Sequence, residues 1–279
     1  MDPIPKTPHV GAPIAVDHSG GAHVIAVANQ KGGVGKTTTA VNLGTALAAT
    51  GRRVLLVDFD PQGNASTSLG VPLALRRRNS YHVLMEGLAV EAAVMDSEID
   101  NLKLLPATVD LAGAEVELIE VTRREYRLRN ALAAVAARFD YILIDCPPAL
   151  GFLTVNALTA ASSYIIPMQC EFFTLEGLSL LLRTVDRVRQ NFNPGLEMEG
   201  VVLTMYDGRN NLSDQVASDL RSHFGRKVYD TVIPRNVRVS EAPSHGAPVL
   251  IYDHRCAGAQ AYIHLAGEML RRERGEARL

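Results

Sequence analysis

The sequence has no tryptophan and only three cysteines, Cys146, Cys170 and Cys256, among its 279 residues. The cysteines are odd in number, lie far apart and include no C-x-x-C pair. This pattern excludes a disulfide framework and a cysteine-based zinc site, and it predicts a protein of a reducing cytoplasm. The eight histidines include no pair at metal-ligand spacing, so they are interpreted as ordinary polar or surface residues.

Long apolar runs and strong charge are also lacking. No run reaches the roughly 18 residues that a membrane span requires, and the N-terminus has no signal-peptide core, so no membrane association is predicted. A formal net charge of −2 is not typical of a constitutive nucleic-acid binder, so DNA contact would need a local patch or one assembled by dimerisation. The composition, 47% hydrophobic and 21% charged, allows one α/β domain with a full core.

The rest of the chain is organised around a phosphate-binding loop. An apolar stretch at residues 23–28 predicts a buried strand, and apolar residues at helical spacing after residue 38 predict a helix. Between them the glycines allow the backbone to curl, so that its N–H groups converge on phosphate oxygens at the helix N-terminus. Lys36 would reach the β and γ phosphates, and the Thr37 hydroxyl would bind Mg²⁺. The segment reads Lys31-Gly32-Gly33-Val34-Gly35-Lys36-Thr37-Thr38.

This loop departs from the common pattern G-x-x-x-x-G-K-[ST] in an informative way. Gln30 occupies the first glycine position, and a second lysine, Lys31, stands next to it. The loop resembles the deviant form of the ParA/MinD/nitrogenase-reductase group of ATPases. The alternative, a glycine-rich turn with two solvated lysines, is disfavoured by the flanking strand and helix.

Aspartates lie at the ends of two predicted strands, at the position where a parallel sheet faces its ligand crevice. The strand at residues 53–59 ends near Asp58 and Asp60, and the strand at 141–145 ends in Asp145 in the Walker B form. Asp145 would hold Mg²⁺ directly or through water. The resemblance places Asp60 in the first switch, near Mg²⁺ and the attacking water; the alternative is a carboxylate that only caps a strand end.

Strands and helices alternate along the chain, which predicts a doubly wound, mostly parallel α/β sheet with helices on both faces. Further strands are predicted at residues 102–106, 164–168, 200–205 and 228–233. Helices are predicted at 111–137, with a possible break at Thr122-Arg123, and at 152–161, 175–192, 212–224 and 257–272. The basic run Arg76-Arg77-Arg78 is interpreted as a solvated loop in preference to a DNA contact.

The domain prediction is a flexible tail at residues 1–22, an ATPase domain at 23–272 and a charged tail at 273–279. The first 22 residues contain four prolines and three glycines. They leave no room for a helix-turn-helix domain, so operator binding of the plasmid ParA kind is not expected.

Two later segments resemble the chromosomal ParA/Soj family: residues 203–212, LTMYDGRNNL, and 232–246, VIPRNVRVSEAPSHG. The resemblance covers residues 23–272. It implies that Pro234 and Asn236 lie beside the adenine and that Arg209 and Arg238 contact DNA phosphates. It also implies that Lys31 reaches across a dimer to the partner's nucleotide.

The resemblance therefore implies an ATPase that uses ATP/ADP and Mg²⁺ and forms an ATP-dependent homodimer. Such a dimer binds double-stranded DNA without sequence preference and is discharged by a ParB-like centromere-binding protein, in the cytoplasm at the nucleoid. One alternative is a MinD-like positioning ATPase, whose C-terminal tail needs more bulky apolar residues than this one has. Another is a nitrogenase-reductase-like electron carrier, which Cys146 and Cys170 do not fit in spacing.

Overall fold

The computed structural model describes residues 21–171 and 174–275, except for the side chains of residues 174–176. Within that part of the chain, seven strands form one sheet in the spatial order β3-β4-β2-β5-β1-β6-β7. Neighbouring strands run parallel, except that β3 pairs antiparallel with β4. The strands are β1 (His23–Val27), β2 (Val54–Asp58), β3 (Met95–Asp96), β4 (Leu102–Leu105), β5 (Tyr141–Asp145), β6 (Ser163–Gln169) and β7 (Glu197–Thr204).

Side chains that alternate along the strands build two cores, one on each face of the sheet. In β1, Val24 and Ala26 belong to the core under the helices at residues 127–133, 152–160 and 174–191, whereas Ile25 and Val27 belong to the core under the helices at residues 36–49 and 257–273. Since both faces are covered, the doubly wound, mostly parallel α/β fold is confirmed. The helices are α1 (Lys36–Ala49), α2 (Asn64–Ser68), α3 (Ser80–Met85), α4 (Val90–Ala93), α5 (Ala114–Glu117), α6 (Arg127–Ala133), α7 (Phe152–Ala160), α8 (Thr174–Asn191), α9 (Asn211–Phe224), α10 (Val237–Glu241), α11 (Val249–Tyr252) and α12 (Ala257–Glu273).

The prediction of one long helix at residues 111–137 is wrong. The segment forms α5 and α6 with short 3₁₀ turns between them, at Leu118–Glu120 and Arg124–Tyr126. Val121 is extended, and Arg123 has a φ of 53°, which no helix can accommodate. The break falls where the sequence carries Thr122-Arg123, and it lets the segment wrap around the N-terminus of α7.

The predicted strand at residues 228–233 is also wrong, because the segment forms only isolated bridges at the edge of the sheet, one at its first residue and one just past its last. Val228 pairs with Val201 and Pro234 with Tyr206. Between them, the N–H groups of Asp230 and Thr231 donate to the Glu268 carboxylate of α12, each at 2.9 Å. Tyr229 and Ile233 still donate to the carbonyl oxygens of Val201 and Leu203, at 2.9 and 2.8 Å, so the carboxylate takes the place of a strand partner only at Asp230 and Thr231. The other strands and helices quoted above lie within three residues of their predicted ends, whereas β3 was not predicted.

The predicted tails lie largely outside the described residues, which begin at Gly21 and end at Gly275. Glu273 is the last residue of α12 and accepts a hydrogen bond from His23 of β1 at 2.9 Å, so the helix runs one residue past the predicted boundary. The division of the chain stays a prediction. No helix in the described part is both long enough and apolar enough to cross a bilayer.

Candidate nucleotide-binding site

The loop between β1 and α1 leaves the N-terminus of α1 open. Gly35 is the N-cap, with φ 86° and ψ 28°, and Gly33 has φ 73°; both values favour glycine. No side chain caps α1, and the first N–H groups of a helix, here those of Lys36, Thr37 and Thr38, have no acceptor within the helix. Together with the helix dipole, these donors form a site for anionic oxygens.

Lys36 completes this site. Only 7% of the residue is exposed, and its ammonium donates to the carbonyl oxygen of Lys31 at 3.1 Å. Burial lowers the pKa of Lys36, while the charges of Asp145 and Asp60 act in the opposite direction. The lysine is thus folded back over its own loop, where an anion at the helix N-terminus would meet its charge.

Residues that the sequence analysis missed hold this loop in place. Asn29 donates from Nδ2 to the carbonyl oxygen of Pro167 in β6 at 2.7 Å and accepts the Lys31 N–H at 3.0 Å. Thr204, the last residue of β7, donates its hydroxyl to the carbonyl oxygen of Val34 at 2.8 Å. The loop is therefore tied to the carboxyl ends of two strands besides its own. In the sequence, the signal that could have identified them is a polar residue at or just after the end of a strand, Asn29 after β1 and Thr204 at the end of β7.

Asp58 and Asp145 end the neighbouring strands β2 and β5 in register, and both are fully buried. Burial, followed by the Asp58 charge, raises the pKa of Asp145 well above its usual range. The Thr37 hydroxyl and the Lys36 charge act the other way, although the hydroxyl does not reach hydrogen-bond geometry. Neither carboxylate oxygen of Asp145 has a hydrogen-bond partner among the described residues. A buried carboxylate in this state suits a bound cation.

The other two aspartates are held by the segment that follows β2. Asp58 Oδ2 accepts from the N–H of Ser66 at 2.8 Å and from its hydroxyl at 2.6 Å, and burial raises the pKa of Asp58 to about 6. Asp60 Oδ1 accepts the N–H of Gln62 at 3.0 Å, and its carbonyl oxygen accepts that of Gly63 at 2.9 Å. Asp58 therefore anchors α2, whereas Asp60 lies in the turn before it.

The residues present fit magnesium. Mg²⁺ takes oxygen ligands and is commonly bound by one or two carboxylates together with phosphate and water. Asp145 offers two unpartnered oxygens, and the Thr37 hydroxyl and the Asp60 carboxylate lie at the same edge of the sheet. No three His, Cys, Asp or Glu side chains of the described residues could hold an ion by themselves, so phosphate and water would complete its shell.

The segment after β5 leads into α7, whose N-terminus is capped by a side chain from α5. Gly151 is the N-cap of α7 and has no side chain, so the Glu115 carboxylate of α5 accepts the N–H groups of Phe152 and Leu153 at 2.7 and 3.1 Å. The guanidinium of Arg124 lies 4.4 Å from the centre of the Phe152 ring. Glu115 thus joins α5 to the N-terminus of α7.

Replacing Glu115 by alanine is expected to lower the free energy of unfolding by about 1–2 kcal/mol, since two N–H groups lose a charged acceptor at a helix N-terminus. Chemical denaturation followed by circular dichroism measures this. Glu120→Ala, at an exposed glutamate of the same segment, is the matched control and should change little. Equal stability of the two variants would contradict a capping role.

Lys31 lies apart from Lys36. Its ammonium pairs with the Glu171 carboxylate at 2.8 Å, and the two side chains are 38% and 49% exposed. Such an exposed pair contributes at most about 1 kcal/mol. The structure therefore places the second lysine of the loop at the rim of the site, where it is accessible from outside.

The four residues assigned by resemblance near the C-terminus all follow β7 in the chain. Pro234 bridges to Tyr206, and the Asn236 Oδ1 caps α10 by accepting the N–H of Arg238 at 2.9 Å. Arg209 is 91% exposed and forms a bidentate pair with Asp207. Arg238 is 53% exposed, with Nη1 3.0 Å from Glu241 Oε2 and Nε 3.6 Å from Asp253 Oδ2.

A helix N-terminus that offers N–H groups and a buried ammonium to an anion, beside carboxylates at the same edge of a parallel sheet, is the architecture of P-loop nucleoside triphosphatases. This chain is of that class. Comparisons with known proteins identify the family within this class.

A family model described as an AAA domain matches residues 22–198. The chain is 62% identical over 253 residues to the chromosome partitioning protein ParA of Caulobacter vibrioides, over 90% of this chain and 95% of that protein. It is 54% identical over 246 residues to the sporulation initiation inhibitor protein Soj of Bacillus subtilis, over 88% and 97%. The crystal structure of a cobyrinic acid a,c-diamide synthase from Mycobacterium smegmatis, with bound ADP and magnesium, superposes with a TM-score of 0.80 at 41% identity, over 91% and 96%. The chain therefore belongs to the ParA/Soj family of chromosome partitioning ATPases.

Proposed function

We propose that this chain binds and hydrolyses ATP to partition DNA, and that ATP-driven dimerisation switches on its DNA binding. The observation that carries the proposal is the contrast between the two lysines of the loop. Lys36 is buried over the helix N-terminus, whereas Lys31 is exposed at the rim. Its exposed ion pair with Glu171 contributes little in its own subunit, so the Lys31 ammonium is available to the nucleotide of a second one. The partitioning relatives support DNA as the cargo.

Within one subunit, the loop residues 31–38 cradle the phosphates. The backbone N–H groups of the loop and of α1 bind phosphate oxygens, and Lys36 neutralises charge on the β and γ phosphates. Thr37, Asp60 and Asp145 hold magnesium, which supplies charge neutralisation during phosphoryl transfer when bound. Asp60, in the turn after β2, also positions the attacking water.

The adenine is assigned to the segment around Pro234 and Asn236. Because Asn236 Oδ1 is engaged in capping α10, its Nδ2 group is the part of the side chain left to donate to a ring nitrogen. Pro234 offers an apolar edge for the base next to it. The segment pairs with the chain just after β7, at Tyr206, and the end of β7 contacts the phosphate-binding loop through Thr204. This proximity to the loop supports the assignment.

DNA binding is assigned to Arg209 and Arg238. One subunit neutralises few phosphates with them, but a dimer held together by ATP doubles the number. Since the logarithm of affinity scales with the phosphates neutralised, the dimer should bind far better than the monomer, without sequence preference and with strong salt dependence. In this scheme the protein is associated with the nucleoid, and a ParB-like partner stimulates hydrolysis and releases it.

The electron-carrier alternative is disfavoured by burial. Cys146 is 0% and Cys170 4% exposed, and burial raises the pKa of each thiol. Neither thiol is therefore presented to a cluster shared between two subunits. The MinD-like alternative is disfavoured by the partitioning relatives, at 62% and 54% identity over most of the chain.

The decisive experiment measures retention of nonspecific duplex DNA with ATP, with ADP and without nucleotide. Wild type should bind only with ATP. Asp60→Ala should stay bound once ATP is added, because it binds the nucleotide but does not turn it over. Asp110→Ala, at an exposed aspartate, is the control and should behave as wild type. Retention that ignores the γ-phosphate would overturn the proposal.

A further inference from the structure

The sequence predicts that Arg76 is a solvated residue of a basic run, and this prediction is wrong. It is 6% exposed, whereas its neighbours Arg77 and Arg78 are exposed. Burying a guanidinium is costly unless its N–H groups are satisfied, and burial lowers the pKa of Arg76. A buried arginine beside a candidate catalytic turn calls for an explanation in its contacts.

The guanidinium closes the segment between β2 and α3 into a compact loop. It donates to the carbonyl oxygen of Val71 from Nε at 3.0 Å and from Nη2 at 2.6 Å, and to that of Gly63 from Nη1 at 3.0 Å. It also donates to the Thr67 hydroxyl at 2.8 Å. One side chain thus joins the beginning, middle and end of the segment that contains α2.

The same guanidinium fastens this loop to the rest of the sheet. Nη1 lies 3.3 Å from the carbonyl oxygen of Ala107, just past β4. The N–H of Ala107 donates to the Ser66 hydroxyl at 3.1 Å, and that hydroxyl donates to Asp58. The backbone of Ala107 is therefore held on both sides. Arg76 donates to its carbonyl oxygen, and Ser66, which is itself bonded to Asp58, accepts its N–H.

We call these contacts of the Arg76 guanidinium the Arg76 clamp. Gly63 connects the clamp to Asp60. Its N–H donates to the carbonyl oxygen of Asp60 at 2.9 Å, and its own carbonyl accepts from Arg76. Gly63 has a φ of 63°, and a Cβ there would lie 2.5 Å from Arg76 Nη1, so only glycine allows the guanidinium to approach. Any shift of Arg76 is passed to the turn that carries the Asp60 carboxylate.

We propose that Arg76 is a positioning residue for Asp60: its guanidinium fixes the turn at residues 60–63 by joining the carbonyl oxygens of Gly63, Val71 and Ala107. This inference rests on the proposed role of Asp60 in ATP hydrolysis. Arg76 touches no substrate group, and it acts only through the backbone that it holds.

The test is Arg76→Ala, with Arg77→Ala as the matched control on the exposed neighbour. We expect turnover of ATP by Arg76→Ala to fall roughly 10- to 100-fold, since small displacements of a catalytic group have effects of that size. Binding of fluorescent ADP without magnesium should be unchanged, because the loop and α1 are not part of the clamp. Sub-denaturing guanidinium, which fits the space left by the side chain, should restore part of the turnover, whereas equal ionic strength of sodium chloride should not.

Hydrogen exchange supplies the second readout. Amides of residues 61–71 should exchange faster in Arg76→Ala and in Arg76→Lys, while β1 and α1 keep their protection. Lysine keeps the charge, but its single ammonium cannot reproduce the planar fork that donates from Nε, Nη1 and Nη2. Unchanged turnover, or loss of ADP binding together with turnover, would overturn the inference. If Arg76→Ala does not fold, Arg76→Lys decides it alone, and full turnover in that variant would be the contrary result.

Asp60→Ala separates this inference from the proposed function. If Asp60→Ala retains turnover, the assignment of Asp60 is wrong and the clamp has nothing catalytic to position. If Asp60→Ala is inactive while Arg76→Ala is fully active, only the role of Arg76 is wrong.

Discussion

Replacing Lys31 by alanine is expected to lower ATP turnover by about 10³- to 10⁵-fold, the range seen where a cation is supplied to a neighbouring active site. ADP binding to the single subunit should be nearly unchanged. The structure gives the reason: the Lys31 side chain pairs with Glu171 at the rim, whereas Lys36 contacts only the backbone carbonyl of Lys31. Alanine keeps that carbonyl, so the phosphate cradle loses none of its groups.

The same substitution should prevent dimerisation by ATP. Sedimentation velocity with a slowly hydrolysed ATP analogue should show wild type as a dimer and Lys31→Ala as a monomer. Lys103→Ala is a suitable control, since its side chain is 41% exposed and also pairs with a surface carboxylate, Asp96. Normal turnover by Lys31→Ala would refute the assignment of this lysine to the partner's nucleotide.

The phosphate-binding loop is the part of the site that the sequence predicts best, because its chemistry is local. Strand, glycine turn and helix start follow one another without a gap, and Gly33 and Gly35 take the positive φ values that such a turn needs. The Walker B strand is local in the same way: four apolar or aromatic positions of β5 lead directly to Asp145. Patterns of this kind need no knowledge of the tertiary fold.

Residues that act through distant partners could not be predicted in this way. Thr204 supports Val34 from a position 170 residues along the chain, and Glu115 caps α7 from 37 residues away. The interpretation of Arg76 as solvated was wrong for the same reason, since its sequence neighbours are solvated and only its fold neighbours bury it. The predicted strand at residues 228–233 is interrupted where the Glu268 carboxylate accepts the N–H groups of Asp230 and Thr231, from 37 residues or more along the chain.

Replacing Arg238 by glutamate is expected to abolish retention of DNA at physiological salt while ATP-dependent dimerisation persists. In the structure Arg238 lies between the carboxylates of Glu241 and Asp253. A glutamate there would form a cluster of three negative charges on each subunit, and a dimer would present two such clusters to the phosphates. The substitution removes two phosphate contacts per dimer and adds repulsion in their place.

The milder variant Arg238→Ala allows a quantitative prediction of the salt dependence of DNA binding. Losing two contacts per dimer should reduce the slope of log affinity against log salt by about 2 units. Nitrocellulose retention of duplex DNA over a salt series, with the ATP-locked Asp60→Ala background, measures this slope without interference from hydrolysis. Arg129→Glu, at an exposed arginine on α6 over the opposite face of the sheet, should leave both affinity and slope unchanged.

Whether the Arg238→Glu variant still dimerises with ATP decides how its loss of DNA retention is interpreted. The ion pairs of Arg238 are solvent-exposed, with side chains 34–53% accessible, so losing them should change the stability of the fold little. A variant that no longer dimerises with ATP would therefore mean that Arg238 supports the fold of α10 or the site next to it, and not the DNA surface. Loss of DNA alone, with the ATP dimer intact, is the result that assigns the double helix to this edge of the protein.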